Sequence, residues 1–131
     1  MTAIRQGQIV WTPVKDNHGN PPKGRPVVVI SNDEDNEKES TALAVVLSHS
    51  AALQFPLPEE CIPLLHHTDG HCVTKLRKET VAVCNWVTPI PSDFDSYDTC
   101  DVAGIVPRRL LKEIVLKVVG YMETGMLPGD L

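Results

Sequence analysis

A chain of 131 residues, 42% of them hydrophobic, is the size of one domain that buries roughly two-thirds of its unfolded surface, so one core is expected rather than two. No apolar run approaches the ~20 residues of a membrane span, and Met1 to Gln8 holds no signal-type apolar stretch, which points to a cytoplasmic protein with no membrane partner. The net charge of −5 opposes a uniformly nucleic-acid-binding surface, but nine of the seventeen acidic residues sit in Asp33–Glu39 and Asp93–Asp101, while Met1 to Asn32 sets Arg5, Lys15, Lys23 and Arg25 against Asp16 alone.

Gln8 to Val14 reads as a first strand, ended by the Gly- and Pro-rich loop Lys15 to Gly24. Pro26 to Ile30, with three valines and an isoleucine, has the continuous apolar pattern of a strand buried on both faces. After an acidic loop, Ala42 to Leu47 repeats that pattern as its antiparallel partner and leaves Ser48-His49-Ser50 at its exit. Ile62 to Leu65 and His71 to Lys75 flank Asp69-Gly70, a dipeptide suited to a type I′ hairpin turn. Thr80 to Val87 is a further strand, stopped by Thr88-Pro89-Ile90-Pro91 because proline gives a sheet ladder no N–H.

Leu110, Leu111, Ile114, Val115, Val118, Val119 and Met122 then recur at helical spacing behind Pro107, a favoured first-turn residue. Arg108 and Arg109 in that first turn oppose the helix dipole, a local conflict that can mark a contact surface. About six short strands and one helix predict a mainly β fold, a small SH3-like barrel over residues 1–124 with the helix packed on it and a frayed tail over 125–131. The four cysteines are irregularly spaced and are expected to be free thiols.

Gly7-Gln8-Ile9-Val10-Trp11, then Arg25-Pro26-Val27-Val28-Val29-Ile30-Ser31-Asn32, then Ala44-Val45-Val46-Leu47-Ser48, Thr80-Val81-Ala82-Val83-Cys84 and Val106-Pro107 follow one another in an order that resembles the PemK/MazF family of toxin endoribonucleases. The resemblance spans roughly Gly7 to Val119, with insertions. It implies a homodimeric SH3-like barrel that cuts single-stranded RNA, is held inactive by a cognate antitoxin protein and meets DNA only through that antitoxin.

RNA can be cleaved with no metal or other cofactor if its 2′-hydroxyl attacks the adjacent phosphorus. The protein then has to accept the 2′-hydroxyl proton, neutralise charge on the phosphoryl oxygens and see the leaving 5′-oxygen protonated. Arg25, where the loop enters a buried strand, offers a rigid fork of donors for the phosphate. Ser48 should stand near it if the two strands pair, as a hydrogen-bond donor to the same group. His18 in the loop is a candidate acid or base, because imidazole titrates near neutral pH. His49 is the competing base, although adjacent strand residues point to opposite faces and so only one of Ser48 and His49 is expected to face the site.

Lys23, Asn20, His49, Asn85 and Trp86 are the candidate substrate contacts, Trp86 either stacking an RNA base or filling the core. Val83 and Asn85 stand where some relatives carry an arginine and an acid, so any mechanism using that pair is excluded. Two alternatives compete. The first is a non-catalytic barrel that binds a protein, an antitoxin or a topoisomerase-like target. The second is a zinc-binding variant using Cys61, His66, His67, His71 and Cys72, five nitrogen or sulfur ligands within twelve residues, although their spacing matches no common zinc pattern.

Overall fold

A computed structural model describes residues 3–15 and 21–124. Six strands form one antiparallel sheet in the order β4-β5-β3-β2-β1-β6. They are β1 (Gln8–Val14), β2 (Lys23–Val29), β3 (Thr41–Ser48), β4 (Cys61–Pro63), β5 (Val81–Pro91) and β6 (Val102–Ile105). No ladder joins β4 to β6 among the described residues, so the mainly β fold is a curled, open half-barrel. Helices α1 (Asp33–Lys38), α2 (His49–Ala52) and α3 (Arg108–Thr124) accompany it, with 3-10 turns at Phe94–Ser96 and Thr99–Asp101.

The strand alternation splits the apolar residues into two clusters on opposite faces of the sheet, not the one core expected. Ile9, Val28, Val45, Leu47 and Cys84 face α3, which contributes Ile114 and Val118. Val10, Val14, Val27, Val29, Ala44 and Val46 face the other way, toward Ile4, Trp86, Phe94 and Tyr97. A strand with a partner layer on both sides is apolar at successive positions, which accounts for the unbroken Val27-Val28-Val29 and Val45-Val46-Leu47 runs. On α3, Val119 and Met122 remain exposed although they fall on the expected apolar stripe.

Several expectations are corrected. The acidic segment Asp33 to Lys38 is helix, because Asn32 caps it by accepting from the Asp35 N–H and three carboxylates occupy the favourable N-terminal turn. His71 to Lys75 is a chain of turns, and β6, inside a region expected to be loop and helix approach, takes its place as the sixth strand. Asp69-Gly70 forms no type I′ hairpin: among the non-glycine residues described only Lys75 has positive φ, and the turn closes from the Gly70 N–H to the His67 carbonyl.

Strand β5 continues through Pro89 and Pro91, which pair with Leu43 and Thr41 of β3. The two prolines occupy alternate positions, and the Ser92 N–H bonds back to Ser40. Their nitrogens therefore face the side that β4, paired only with Val81 to Val83, leaves open.

All four cysteines are free. Among the described residues no helix is long and apolar enough to cross a membrane.

Candidate active site

Strands β2 and β3 pair at Val27↔Val46, Val28↔Val45 and Val29↔Ala44. The ladder ends there, two residues short of Arg25 on β2 and of Ser48 on β3. Both border one cleft of about 570 Å³ at this end of the strands, a volume ordinary for a ligand site.

Arg25 is half-buried, and its guanidinium carbon stands 5.2 Å from the centre of the Trp86 ring. Its Nε is buried without a hydrogen-bond partner, and no carboxylate pairs with it among the described residues. A buried donor left unpaired costs about 1–3 kcal/mol, a cost that an arriving anion would remove. Trp86 is partly buried against the second apolar cluster. It packs in that cluster with Arg25 over one face of its ring, and it does not border the cleft. Asn85 beside it is half-buried and does not border the cleft.

Ser48 ends β3 and caps α2, its Oγ accepting from the Ala51 N–H at 3.1 Å and lying 3.2 Å from the Ser50 hydroxyl. Because the chain leaves the strand here and turns into a helix, the rule of opposite faces lapses, and Ser48 and His49 both border the cleft. The His49 Nδ1 lies 2.6 Å from the Glu79 carbonyl oxygen. A carbonyl only accepts, so Nδ1 carries the hydrogen and, in the neutral ring, Nε2 holds a lone pair. Lys23 borders the same cleft. His18 and Asn20 lie outside the described residues.

The cleft also contains charged groups outside the sequence candidates. Lys75, Arg77 and Lys78 line it together with Lys23 and Arg25, and no acidic side chain is among its lining. In a chain of net charge −5, five cations around one cleft are a local reversal that favours a polyanion. Trp11, 42% exposed, adds an aromatic surface to the lining of the cleft.

The basic segment is held by buried contacts. Thr74 is fully buried and donates to the Leu65 carbonyl at 2.6 Å, the His67 N–H bonds to Leu76, and Leu64 and Leu76 join the core facing α3. Gly104 of β6 lies against this segment so closely that a Cβ would come within 2.2 Å of the Val73 carbonyl oxygen, and the next residue, Ile105, donates its N–H to that oxygen. Only glycine permits this approach. The signal available in the sequence is the run Lys75 to Lys78, with three cations in four residues; its placement depends on Gly104, far along the chain in β6.

The cysteines and histidines of the zinc alternative do not come together: among the described residues no group of three or more His, Cys, Asp or Glu is arranged to hold a metal ion. His67 and His71 instead turn their Nδ1 atoms toward Asp69, at 2.5 and 3.4 Å, on the exposed turn.

A family model described as the PemK-like, MazF-like toxin of type II toxin–antitoxin systems matches residues 5–93, which takes in both strands of the candidate site and stops short of β6 and α3. Among curated proteins none matches the chain. The fold is similar to that of MazF from Deinococcus radiodurans, at 15% identity and a TM-score of 0.67 over 94% of this chain and 99% of that one. It also resembles the MazE–MazF complex from the same organism, with 15% identity and a TM-score of 0.63 over 94% and 96% of the two chains. An endoribonuclease in complex with its cognate antitoxin from a Mycobacterial species is similar at 14% identity, with a TM-score of 0.55 over 94% and 96%. At such identities these likenesses establish the fold alone.

Proposed function

Because the chain belongs to the PemK-like, MazF-like toxins of type II toxin–antitoxin systems, we propose that it is an endoribonuclease that cuts single-stranded RNA by attack of a 2′-hydroxyl on its neighbouring phosphorus. The observation that carries this reading is Arg25, a half-buried guanidinium with an unpaired Nε and no carboxylate partner among the described residues, bordering the same cleft as Ser48. Cations fixed around a cleft before substrate arrives stabilise charge developing on a phosphoryl group, with no cost of reorganisation during the reaction. In this reading Arg25 binds the non-bridging oxygens. Ser48, whose Oγ accepts from the Ala51 N–H, directs its own hydrogen to the phosphate or to Ser50. Lys23, Lys75, Arg77 and Lys78 hold the flanking phosphates, and Trp11 offers a stacking surface to a splayed base.

The products are a 2′,3′-cyclic phosphate and a 5′-hydroxyl, and no step calls for a metal ion. A cognate antitoxin as inhibitor, a homodimeric assembly and a cytoplasmic site of action complete the proposal. The test is incubation of purified protein with mixed RNA in EDTA, with both new ends mapped. Cleavage should persist and leave 5′-hydroxyl ends, and Arg25→Ala should lower the rate about a hundredfold or more, as loss of one charged stabiliser does. RNA left intact by well-folded protein would instead assign the cleft to a non-catalytic binding module.

A further inference from the structure

Resting on the ribonuclease reading of the cleft, we propose that His49 is the general base that takes the proton from the attacking 2′-hydroxyl. Three observations lead there. His49 borders the same cleft as Arg25 and Ser48. Its ring is fixed by the 2.6 Å bond from Nδ1 to the Glu79 carbonyl, which requires the hydrogen on Nδ1 and leaves the lone pair of the neutral ring on Nε2. Among the described residues Nε2 has no hydrogen-bond partner, and the residue is exposed. A base oriented by a backbone acceptor behind it and open in front is the arrangement that proton abstraction from a hydroxyl needs.

The cleft lining has no carboxylate to compete for the role, and its other charged side chains are lysines and arginines. The 2′-O–H proton passes to His49 Nε2 as the 2′-oxygen forms its bond to phosphorus and the bond from phosphorus to the 5′-oxygen breaks. The departing oxygen is protonated by water in the open cleft, and the imidazolium returns its proton to solvent, so the enzyme is regenerated.

The deciding variants are His49→Asn and His49→Ala, assayed beside wild type and Arg25→Ala on one short RNA in EDTA. An asparagine amide reproduces the Nδ1 donor to Glu79 but offers no base. The proposal expects His49→Asn to lose about a hundredfold or more in rate at unchanged thermal midpoint, and His49→Ala to recover several-fold on adding free imidazole. A merely structural histidine would leave His49→Asn near wild type and His49→Ala indifferent to imidazole, and either result overturns the assignment while Arg25→Ala still reports on the nuclease reading. An RNA with sulfur at the bridging 5′-position, a leaving group that departs unprotonated, should leave the His49→Asn defect in place. Full recovery on that substrate would make His49 the acid and overturn its role as base. Wild-type protein that cuts nothing fails the nuclease reading itself.

Discussion

The Arg25 guanidinium lies over the Trp86 ring, 5.2 Å from its centre, so the charged end of the candidate catalytic cation rests on a side chain that is itself anchored in the apolar cluster of Val27, Val29 and Val46. Arginine on an aromatic face is stabilised by about 0.5–2 kcal/mol, and a long side chain held at its tip keeps fewer rotamers. We expect Trp86→Leu to slow RNA cleavage by roughly two- to thirtyfold, and Trp86→Phe to keep most of the rate. Equal rates for wild type and Trp86→Leu in a single-turnover assay would show that the ring does not position Arg25.

Ser48 has a structural duty as well as a candidate chemical one. Its Oγ caps α2, and losing such a cap costs about 0.5–2 kcal/mol. Ser48→Ala is expected to lower both urea midpoint and activity, whereas Ser48→Asp keeps a capping oxygen and places a negative charge beside the phosphate site. The aspartate variant should therefore remain within about 0.5 kcal/mol of wild type in stability and lose RNA cleavage. An active Ser48→Asp enzyme would remove Ser48 from the phosphate-binding role.

The close packing of Gly104 on Val73 and Thr74 ties the basic segment to β6. Gly104→Ala forces that backbone away, and the expected result is weaker RNA binding with a smaller change in the cleavage rate at saturation. Replacing Lys75, Arg77 and Lys78 together by alanine should weaken binding more steeply at low salt and reduce the slope of log K against log salt by about 0.7 for each phosphate left without its cation. Binding to a fluorescent single strand at several salt concentrations reads both. An unchanged slope would mean that these cations do not touch the RNA backbone.

Burial pushes the Cys84 thiol up to about 12, and burial also pushes the Tyr97 hydroxyl up to about 12. Both groups ionise in the unfolded chain at their lower ordinary values, near 8.5 and 10, while the folded protein keeps them neutral. The stability from this difference is complete below those ordinary values and is lost as the pH climbs toward about 12. Urea midpoints should fall from pH 8 to pH 10.5, and less so in Cys84→Ala. A midpoint that holds level across that range contradicts the buried neutral thiol.

Legibility in the sequence follows the range of the interactions. The first three strands and the long helix are readable within about three residues because their patterns are local: buried valine runs, and an apolar stripe behind Pro107. That Arg25 and Ser48 border one cleft is readable because β2 and β3 are antiparallel neighbours of matched apolar pattern. Lys75, Arg77 and Lys78 are not, since their segment is placed by Thr74, Leu76 and the close approach of Gly104 rather than by any pattern of its own. The helix at Asp33 is hidden because a run of acids resembles solvated loop, although Asn32 is available as its cap. The end of β5 is hidden because proline reads as a stop, a rule that holds only where the nitrogen faces a partner strand.

Those prolines also bear on how the molecule behaves in a crowded solution. Pro89 and Pro91 are exposed on the stretch of β5 that β4 does not cover, and their ring nitrogens offer no hydrogen to an incoming backbone. A foreign strand therefore finds no N–H to pair with at these two positions of that border. Converting both to threonine would leave the interior of the sheet untouched and open a sticky seam, through which concentrated protein would begin to assemble into sheets larger than itself.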